Sequence, residues 1–373
     1  MTIDLTVESS LLGYALSTGG SVSPSRTTLP VLSNVLLKAE KGKLQVSGSN
    51  AETSITAWIS AEIKEEGVIT VPEDLFSGIV KSLAAGQDVR LKELPNMSLQ
   101  IECGPVNTAV KGISAEEFPN VLVEKLGSGS LIPAVEFKKI IRQVGLAASP
   151  DASKGGILQG INFTMNGTSL TAAATDQTRL AIKTVSVQNG YPSSFAVPAA
   201  SLDRVVKSMN TVMPDFQLHV VGNSQVVWNV PGKLQIITSQ LAGRFPDVQR
   251  VIPQKESATN FRVNKREMLS ACNLVELFAS QGSGLATLSA TPEKIRLMTA
   301  EETVGNADYG VEGKGFTGAP VRVFLNARNF RDSVESFTGD EVMVCLNGDR
   351  GAVLLKAADE EKLTHLMMPM VLG

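Results

Sequence analysis

Apolar residues recur with helical spacing in three similar stretches of the chain, each of which directly follows a run typical of a strand. These stretches occupy residues 71–83, 197–209 and 325–337. In the central stretch the apolar positions follow the order i, i+3, i+4, i+7, which forms one face of a helix; they are Leu202, Val205, Val206 and Met209. The stretches begin 126 and 128 residues apart, which is the length of a small domain and too long for a solenoid repeat.

The remaining pattern predicts that each domain opens with a helix and consists otherwise of short strands separated by turn residues. The opening helices are predicted at 5–18, 135–147 and 265–279. In the first domain the predicted strands are 29–39, 43–49, 54–63, 89–94, 98–103 and 107–113. In the second domain they are 160–165, 169–174, 179–187, 217–221, 225–230 and 233–238. In the third domain they are 285–289, 294–299, 303–311, 341–346 and 352–356, followed by an apolar tail at 366–372.

Linker composition marks where one domain ends and the next begins. Residues 127–130 read Gly-Ser-Gly-Ser, and 253–260 form a polar segment. Phe245-Pro246 follows Phe118-Pro119 by 127 residues, which supports the same period. We therefore predict an α+β fold of three tandem domains, with two helices on antiparallel sheets in each. The predicted boundaries are 1–126, 130–252 and 258–373.

Composition narrows the class of protein. With 43% hydrophobic and 19% charged residues among 373, the chain is typical of a soluble globular protein. No apolar run approaches the length of a membrane span, and the first residues do not resemble a signal peptide. Cys103, Cys272 and Cys345 are far apart and odd in number, which favours free thiols in a reducing cytoplasm.

Motifs for catalysis are scarce. The chain has no phosphate-binding GxxxxGK[ST] loop, no GxGxxG after a strand and no metal-ligand spacing, so we expect no cofactor and no metal. His219 and His365 lie in patterns that favour structural roles. A hydrolase that uses Asp176 and His219 is the weakest hypothesis, because nothing in the sequence brings the two together. We therefore expect that the protein is not an enzyme.

Two features of the pattern allow alternative interpretations. The predicted helices carry ten basic residues against nine acidic ones, which fits a solvated mixed-charge face as well as a binding surface. The apolar tail, with Met367, Met368 and Met370, is either a last strand packed in its own domain or the lining of an exposed groove. Methionine adapts its shape, so a methionine-rich groove suits a site that accepts several peptides.

Four motifs resemble the bacterial DNA polymerase III beta subunit family, the sliding clamps. They occupy residues 26–37 (RTTLPVLSNVLL), 174–181 (ATDQTRLA), 243–248 (GRFPDV) and 368–370 (MPM). Together with the threefold plan, the order and spacing of these motifs extend the resemblance over the whole chain. The resemblance implies three repeats of the DNA clamp fold, and a head-to-tail homodimer that forms a ring of six domains. The helices would face a central hole through which double-stranded DNA passes without sequence preference.

The resemblance also implies three sets of site residues. The DNA-contacting residues would be Arg26, Lys81, Lys138, Lys139, Arg142, Arg204, Lys207, Lys265, Arg266, Arg328 and Arg331. The dimer interface would include Asn107, Thr108 and Lys111 of the first domain and Phe278 and Ala279 of the third. A pocket for partner peptides would be lined by Leu158, Thr175, Gln177, Thr178, Arg179, Leu180, Pro246, Arg250, Val251, Leu366, Met367, Met368, Pro369, Met370, Val371 and Leu372.

The partners implied by the resemblance are the DNA polymerase III alpha subunit, the clamp loader and other proteins with a clamp-binding motif. Leucine and phenylalanine anchors would enter the apolar part of the pocket, with Arg179 and Arg250 at its mouth. Gln177-Thr178 stands where a Gly-His pair is common in the family. A repeat-built scaffold that binds peptides but no DNA is the alternative, and no membrane partner is expected.

Overall fold

The computed structural model describes residues 2–151, 153, 156–208, 214–222, 224–253, 257–301, 304–358 and 362–370. Within these ranges the chain forms three successive repeats of one plan: a strand, a helix, four or five strands, a second helix and three strands. The opening helices are α1 (Ser9–Gly19), α3 (Ala134–Val144) and α5 (Lys265–Ala279). The second helices are α2 (Glu73–Ser82), α4 (Ala199–Ser208) and α6 (Ala327–Ser336).

The strands repeat in the same order. The first repeat contains β1 (Asp4–Glu8), β2 (Asn34–Glu40), β3 (Lys43–Ser49), β4 (Thr53–Ser60), β5 (Glu62–Glu65), β6 (Gly67–Pro72), β7 (Asp88–Glu93), β8 (Ser98–Cys103) and β9 (Val106–Lys111). The second contains β10 (Ser130–Ile132), β11 (Gly160–Asn166), β12 (Ser169–Thr175), β13 (Arg179–Ser186), β14 (Ser193–Pro198), β15 (Phe216–Val221), β16 (Gln225–Val230) and β17 (Leu234–Ser239). The third contains β18 (Thr259–Asn264), β19 (Leu285–Ala290), β20 (Ile295–Glu301), β21 (Gly305–Val311), β22 (Gly313–Gly318), β23 (Val321–Asn326), β24 (Glu341–Leu346), β25 (Val353–Ala357) and β26 (Leu363–Met367).

The predicted helical face of the repeated stretches is confirmed. Phe76 of α2, Leu202 of α4 and Phe330 of α6 are fully buried, and all three helices begin directly after a strand. Burying a side chain of this size stabilises the fold by about 1.5–3 kcal/mol. Met209, which completes the predicted face of the central stretch, lies outside the described residues.

Several predicted boundaries were wrong, and the first helix shows why. The helix predicted at 5–18 begins only at Ser9, because Leu5 and Val7 alternate as buried residues of strand β1 between β5 and β7. The predicted strand 29–39 starts with a 3₁₀ turn, Pro30–Ser33, whose first residue has no N–H for a ladder. The strand predicted at 54–63 is divided into β4 and β5. Strands β10, β18 and β22 were not predicted at all.

The chain divides into two compact units. The first comprises Met1–Phe137, Gln188–Gly190 and Ala200–Gln240, and the second comprises the remaining described residues. The first unit contains a five-stranded sheet in the order β5-β1-β7-β8-β9 and an eight-stranded sheet in the order β10-β15-β16-β17-β4-β3-β2-β6. The second contains a nine-stranded sheet in the order β14-β11-β12-β13-β26-β25-β24-β18-β22 and a four-stranded sheet in the order β21-β20-β19-β23.

The sheet orders show how one repeat is joined to the next. In the eight-stranded sheet β4 of the first repeat pairs with β17, the last strand of the second repeat. In the nine-stranded sheet β13 of the second repeat pairs with β26, the last strand of the third repeat. In the first repeat the last strand, equivalent to β17 and β26, is β9. In the third repeat the strand equivalent to β4 and β13 is β21. Among the described strands each of them pairs on one side only, so β9 and β21 are sheet edges.

Candidate DNA, partner and subunit interfaces

The predicted DNA-contacting residues lie on the helices and on one loop, and they differ in solvent exposure and in their contacts with other groups of the protein. Seven of the eleven are exposed, namely Arg26, Lys81, Arg142, Arg204, Lys207, Arg266 and Arg328. Among these, Lys207 contacts Asp203 one turn earlier at 2.6 Å, although its side chain remains 71% exposed. Ion pairs of this exposure contribute little to stability, so the ammonium group of Lys207 is accessible to a phosphate.

Two of the predicted DNA contacts take part in the packing of the third repeat. Arg331 on α6 binds Glu276 on α5 at 2.6 Å and its neighbour Asp332 at 2.7 Å, and its side chain is only 29% exposed. Hydrogen bonding to Asp332 raises the pKa of Arg331 above its usual value, against the effect of burial. The ammonium group of Lys265 donates to the carbonyl oxygen of Phe337. Both cations thus connect elements of their own repeat.

A tight turn between β12 and β13 holds five residues of the predicted peptide pocket. Asp176 lies at its centre, where Oδ1 accepts from the N–H of Thr178 and of Arg179, each at 2.9 Å, and Oδ2 accepts from Nε of Arg179 at 3.0 Å. Thr175 donates its hydroxyl proton to the carbonyl oxygen of Arg179 at 2.6 Å. Burial alone would raise the pKa of Asp176, but the hydrogen bonds from Thr178 and Arg179 outweigh it and hold that pKa below the usual value.

Gln177 at the tip of this turn adopts a left-handed backbone conformation, with a φ of +78°. Side chains with a Cβ rarely adopt this conformation, whereas glycine does so without a steric cost. A glycine at this position would therefore adopt the same backbone conformation without that cost.

The C-terminal segment is attached to the same turn. Strand β26 pairs with β13 through Met367 and Arg179, and the N–H of Met368 donates to the carbonyl oxygen of Thr178 at 2.9 Å. Two residues later the N–H of Met370 donates to the carbonyl oxygen of Phe324 at 2.8 Å. The tail is thus a strand of its own repeat up to Met367 and then an extended segment with two backbone anchors. Val371 and Leu372 lie outside the described residues.

An apolar cluster lies beneath this segment. Leu180, Cys345, Leu354 and Leu366 are its buried members, each at most 4% exposed. Val248, the last residue of the 243–248 motif, and Ile252 pack against it, although neither was predicted to line the pocket. The motif and the spacing of four between the two residues are the signals that indicate them.

The predicted pocket residues divide into buried and exposed groups. Leu158, Leu180, Leu366 and Met367 are buried, and Met367 packs in the core of the third repeat. Exposed apolar side chains are Val251 (55%), Met368 (49%) and Met370 (36%). Arg250 is 85% exposed beside Asp247, whereas Arg179 is 13% exposed and its Nη1 has no hydrogen-bond partner. The structure thus joins the turn residues directly to Leu366, Met367 and Met368, and the Nη1 atom of Arg179 there is buried without a hydrogen-bond partner.

The predicted dimer residues lie at or near β9 and β21, two of the terminal strands of the sheets. Asn107, Thr108 and Lys111 belong to β9. Phe278 near the end of α5 is half-buried, and its ring lies beside Gly305 of the β21 edge. Ala279 is fully buried in the core of the third repeat, so its side chain supports α5 from within. The adjacent Leu277 is 68% exposed and was missed, because it lies off the apolar face that the periodicity selects.

The remaining polar groups have structural surroundings. His365 is buried with Nε2 at 2.9 Å from the hydroxyl of Ser336. His219 is buried, and desolvation lowers its pKa. Burial raises the pKa of the Cys272 thiol to about 12, so it carries almost no thiolate at neutral pH. Among the described residues no group of three or more His, Cys, Asp or Glu side chains is placed to hold a metal ion. Over the same residues no helix has the length and apolarity that a membrane crossing requires.

Comparison with known proteins gives matches along almost the whole chain. Residues 3–122 match the N-terminal domain of the DNA polymerase III beta subunit, residues 131–247 its central domain and residues 249–371 its C-terminal domain. A beta sliding clamp from Synechococcus elongatus is 28% identical over 371 residues, which cover 97% of each chain. One from Staphylococcus epidermidis is 25% identical and covers 94% of each chain.

Solved structures share the fold. A DNA polymerase sliding clamp from Bacillus subtilis superimposes with a TM-score of 0.88 over the full length of both chains, at 23% identity. A beta sliding clamp from C. crescentus gives a TM-score of 0.87 at 25% identity, over 100% of this chain and 99% of the other. With three domain matches in order, the chain belongs to the DNA polymerase III beta subunit family.

Proposed function

We propose that the protein is a DNA sliding clamp, a processivity factor that encircles double-stranded DNA as a head-to-tail homodimer. The observation that carries this proposal is the way its repeats are joined. Twice within the chain, the third strand after the opening helix of one repeat pairs with the last strand of the next repeat. These pairs are β4 with β17 and β13 with β26. The third occurrence of this pairing would need β21 and β9, and both are edges.

A second copy of the chain supplies the missing partner. When β21 of one subunit pairs with β9 of the other, the contact is heterologous, and two such contacts close a ring of six repeats. The pairing covers all four edges concerned, which would otherwise be open to uncontrolled strand addition. Exposed Leu277 and half-buried Phe278 lie at the end of α5 beside this junction and would be buried there.

The repeats also fix the register of that junction. The repeats can be aligned at the starts of their helices, and the directly opposed residues can then be followed from strand to strand. In this alignment the pair Thr56–Gln235 of β4 and β17 is equivalent to the pair Ile182–Thr364 of β13 and β26. The same steps in the third and first repeats end at Asp308 and Asn107. We therefore expect Asp308 of one subunit opposite Asn107 of the other, and Asn306 opposite Ala109.

In such a ring the helices line the hole, and their exposed cations meet the DNA backbone. Contacts to phosphate carry no sequence information and weaken with salt, so they permit sliding. The overall charge of −3 is compatible with this role, because topology rather than affinity retains the ring on DNA. Arg331 and Lys265 are engaged within their own repeat, so the exposed cations Arg142, Arg204 and Arg328 are the stronger candidates.

Partner proteins would bind at the β12–β13 turn and the C-terminal segment. The exposed Val251, Met368 and Met370 offer apolar contacts. The partners would be the polymerase alpha subunit, the clamp loader and other proteins with a clamp-binding motif. The protein would act without catalysis of its own, in the cytoplasm, and without a cofactor.

Retention on circular DNA tests the function. Protein loaded onto a nicked circular duplex by a clamp loader should remain bound through gel filtration in high salt, and should dissociate once the circle is linearised. Salt removes phosphate contacts but cannot open a closed ring. Equal retention on circular and linear DNA would contradict the proposal, and failure to bind either form would favour a peptide scaffold.

Deletion of residues 368–373 tests the partner site separately. The deletion removes both backbone anchors of the tail and two exposed methionines, but it leaves β26 in place. We expect that binding of a polymerase-derived peptide falls at least tenfold while the dimer mass is unchanged. Undiminished peptide binding would refute the position of the pocket.

A further inference from the structure

A concave surface that the proposed partner site does not include lies on one face of the nine-stranded sheet. It has a volume of about 710 Å³ and is formed by strands β22, β18, β24 and β25, with Pro253 and Ser257 at one end. We call it the basic groove and define it by Arg262, Lys314, Glu341, Met343, Cys345 and Lys356.

Two adjacent rows of cross-strand partners run along this face, since directly opposed residues point to the same side of a sheet. One row is Lys314, Arg262, Met343 and Lys356. The other is Cys345, Leu354, Leu366 and Leu180. The second row consists of the four buried residues of the apolar cluster, two of which, Cys345 and Leu354, also line the basic groove. The basic groove therefore adjoins the apolar cluster on one face of the sheet.

The charge of the basic groove is mainly positive. It contains three cations and one carboxylate, and Glu341 contacts Lys314 at 2.9 Å. Arg262 and Lys356 are exposed, and the Lys314 side chain is 59% exposed. The floor between these charges is apolar, with half-buried Met343 and buried Cys345. Such a surface complements a segment that carries acidic side chains on an otherwise uncharged backbone.

We propose that the basic groove binds acidic residues of partner proteins that flank the apolar anchor motif. This inference rests on the proposed function and extends its partner site. Neighbouring strands are about 4.8 Å apart and residues along a strand about 3.4 Å, which puts the three cations roughly 8–20 Å from Leu366. An extended peptide spans about 3.3 Å per residue, so the acidic side chains would lie about three to six residues from the anchors.

The surroundings favour a peptide over DNA as the occupant. Glu341 would repel a continuous row of phosphates, whereas a peptide can place its carboxylates beside Arg262 and Lys356 only. The apolar floor and the shared row with Leu366 also match a polypeptide that continues from the pocket.

Peptides that differ only in their flanks provide the test. Three fluorescent peptides with the same leucine and phenylalanine anchors would carry three aspartates before the anchors, three after them, or serines on both sides. Fluorescence anisotropy with the full-length protein should show that one aspartate peptide binds at least fivefold more tightly than the serine peptide at low salt. The advantage should shrink at about 0.5 M salt, because exposed charges are screened.

Matched variants locate the effect. Arg262→Gln combined with Lys356→Gln should abolish the advantage of the aspartate peptide and leave the affinity for the serine peptide unchanged. Lys294→Gln removes an exposed cation from the turn between β19 and β20, outside the basic groove, and should change neither. An unchanged melting temperature of the double variant confirms that it folds.

The possible failures are distinguishable. If serine and aspartate peptides bind the wild type equally, the acidic-flank inference is wrong while the partner site stands. If no anchor peptide binds, the partner site itself is wrong and this inference with it. A double variant that loses affinity for a short DNA duplex but keeps the peptide advantage would assign the basic groove to DNA and overturn the inference.

Discussion

At the scale of single residues, the β12–β13 turn concentrates the unusual chemistry of the chain. Asp176 has only 11% of its side chain exposed, yet it stays charged because Thr178 and Arg179 donate to it. The turn it stabilises provides the carbonyl oxygen that anchors Met368. One carboxylate thus connects the order of the turn to the position of the C-terminal segment.

Asp176→Asn should destabilise the protein by about 1–3 kcal/mol, since the amide loses the charge-assisted bond to Arg179. Because the folded-state pKa of Asp176 is lowered, its stabilisation is present above its unfolded pKa of about 3.9 and is lost as the pH falls through the folded value. The wild type should therefore lose more stability than the variant between pH 5 and pH 3, as measured by urea unfolding. Asp203→Asn, at an exposed ion pair, should change stability by less than about 0.5 kcal/mol. Parallel pH profiles for wild type and Asp176→Asn would contradict this role.

Gln177→Gly should stabilise the protein by about 1 kcal/mol, because the left-handed conformation at φ +78° costs a residue with a Cβ more than it costs glycine. Thermal unfolding measures the effect. Gln225→Gly, at an exposed position of β16, should instead destabilise by about 0.5–1 kcal/mol. A loss of stability in both variants would show that the strain at Gln177 is relieved elsewhere.

At the scale of elements, the helices of the three repeated stretches, α2, α4 and α6, each pack one face against the core of their repeat. Each buries one apolar stripe and exposes a largely polar face, so their amphipathic pattern is the clearest signal in the sequence. Neighbouring positions on one such helix therefore differ in how much their side chains contribute to stability. Phe76 is fully buried and the adjacent Leu75 is 54% exposed.

Phe76→Ala should destabilise the protein by about 3–5 kcal/mol, as large core deletions do, whereas Leu75→Ala should cost less than about 0.5 kcal/mol. Urea unfolding monitored by circular dichroism measures both on the same helix. Similar losses in the two variants would mean that the helix face is assigned wrongly.

At the scale of the whole molecule, the pairing of repeats sets the assembly. The second repeat contributes β10 and β15–β17 to the eight-stranded sheet, which also contains strands of the first repeat. It contributes β11–β14 to the nine-stranded sheet, which also contains strands of the third repeat. This division explains why a threefold sequence gives two compact units. The domain boundaries 1–126, 130–252 and 258–373 remain predictions. The two unpaired edges would complete the same scheme in a dimer.

Ala109→Cys combined with Asn306→Cys should give a disulfide-linked dimer under mild oxidation, because the repeat register places these residues opposite each other across the subunit junction. Non-reducing gel electrophoresis detects it, and the native thiols of Cys103, Cys272 and Cys345 are buried. Ala109→Cys with Gly310→Cys is the control, since the two sites are then four residues out of register. Equal linkage of both pairs would contradict the register.

The threefold repeat, the helical faces and the lack of recognisable catalytic motifs could be read from the sequence. These follow from local periodicity and from residue chemistry, which need no distant contacts. The sequence did not reveal β18 and β22, whose short patterns are uninformative until β18 pairs between β24 and β22. Nor did it reveal Leu277, which lies off the apolar face of α5, or the packing of Val248 and the ion pair of Arg331 with Glu276, which depend on residues distant in the chain. The strands that join the repeats could not be predicted, since strand pairing is set by sheet geometry and not by local sequence. That pairing leaves β9 and β21 open and gives the proposed ring its physical basis.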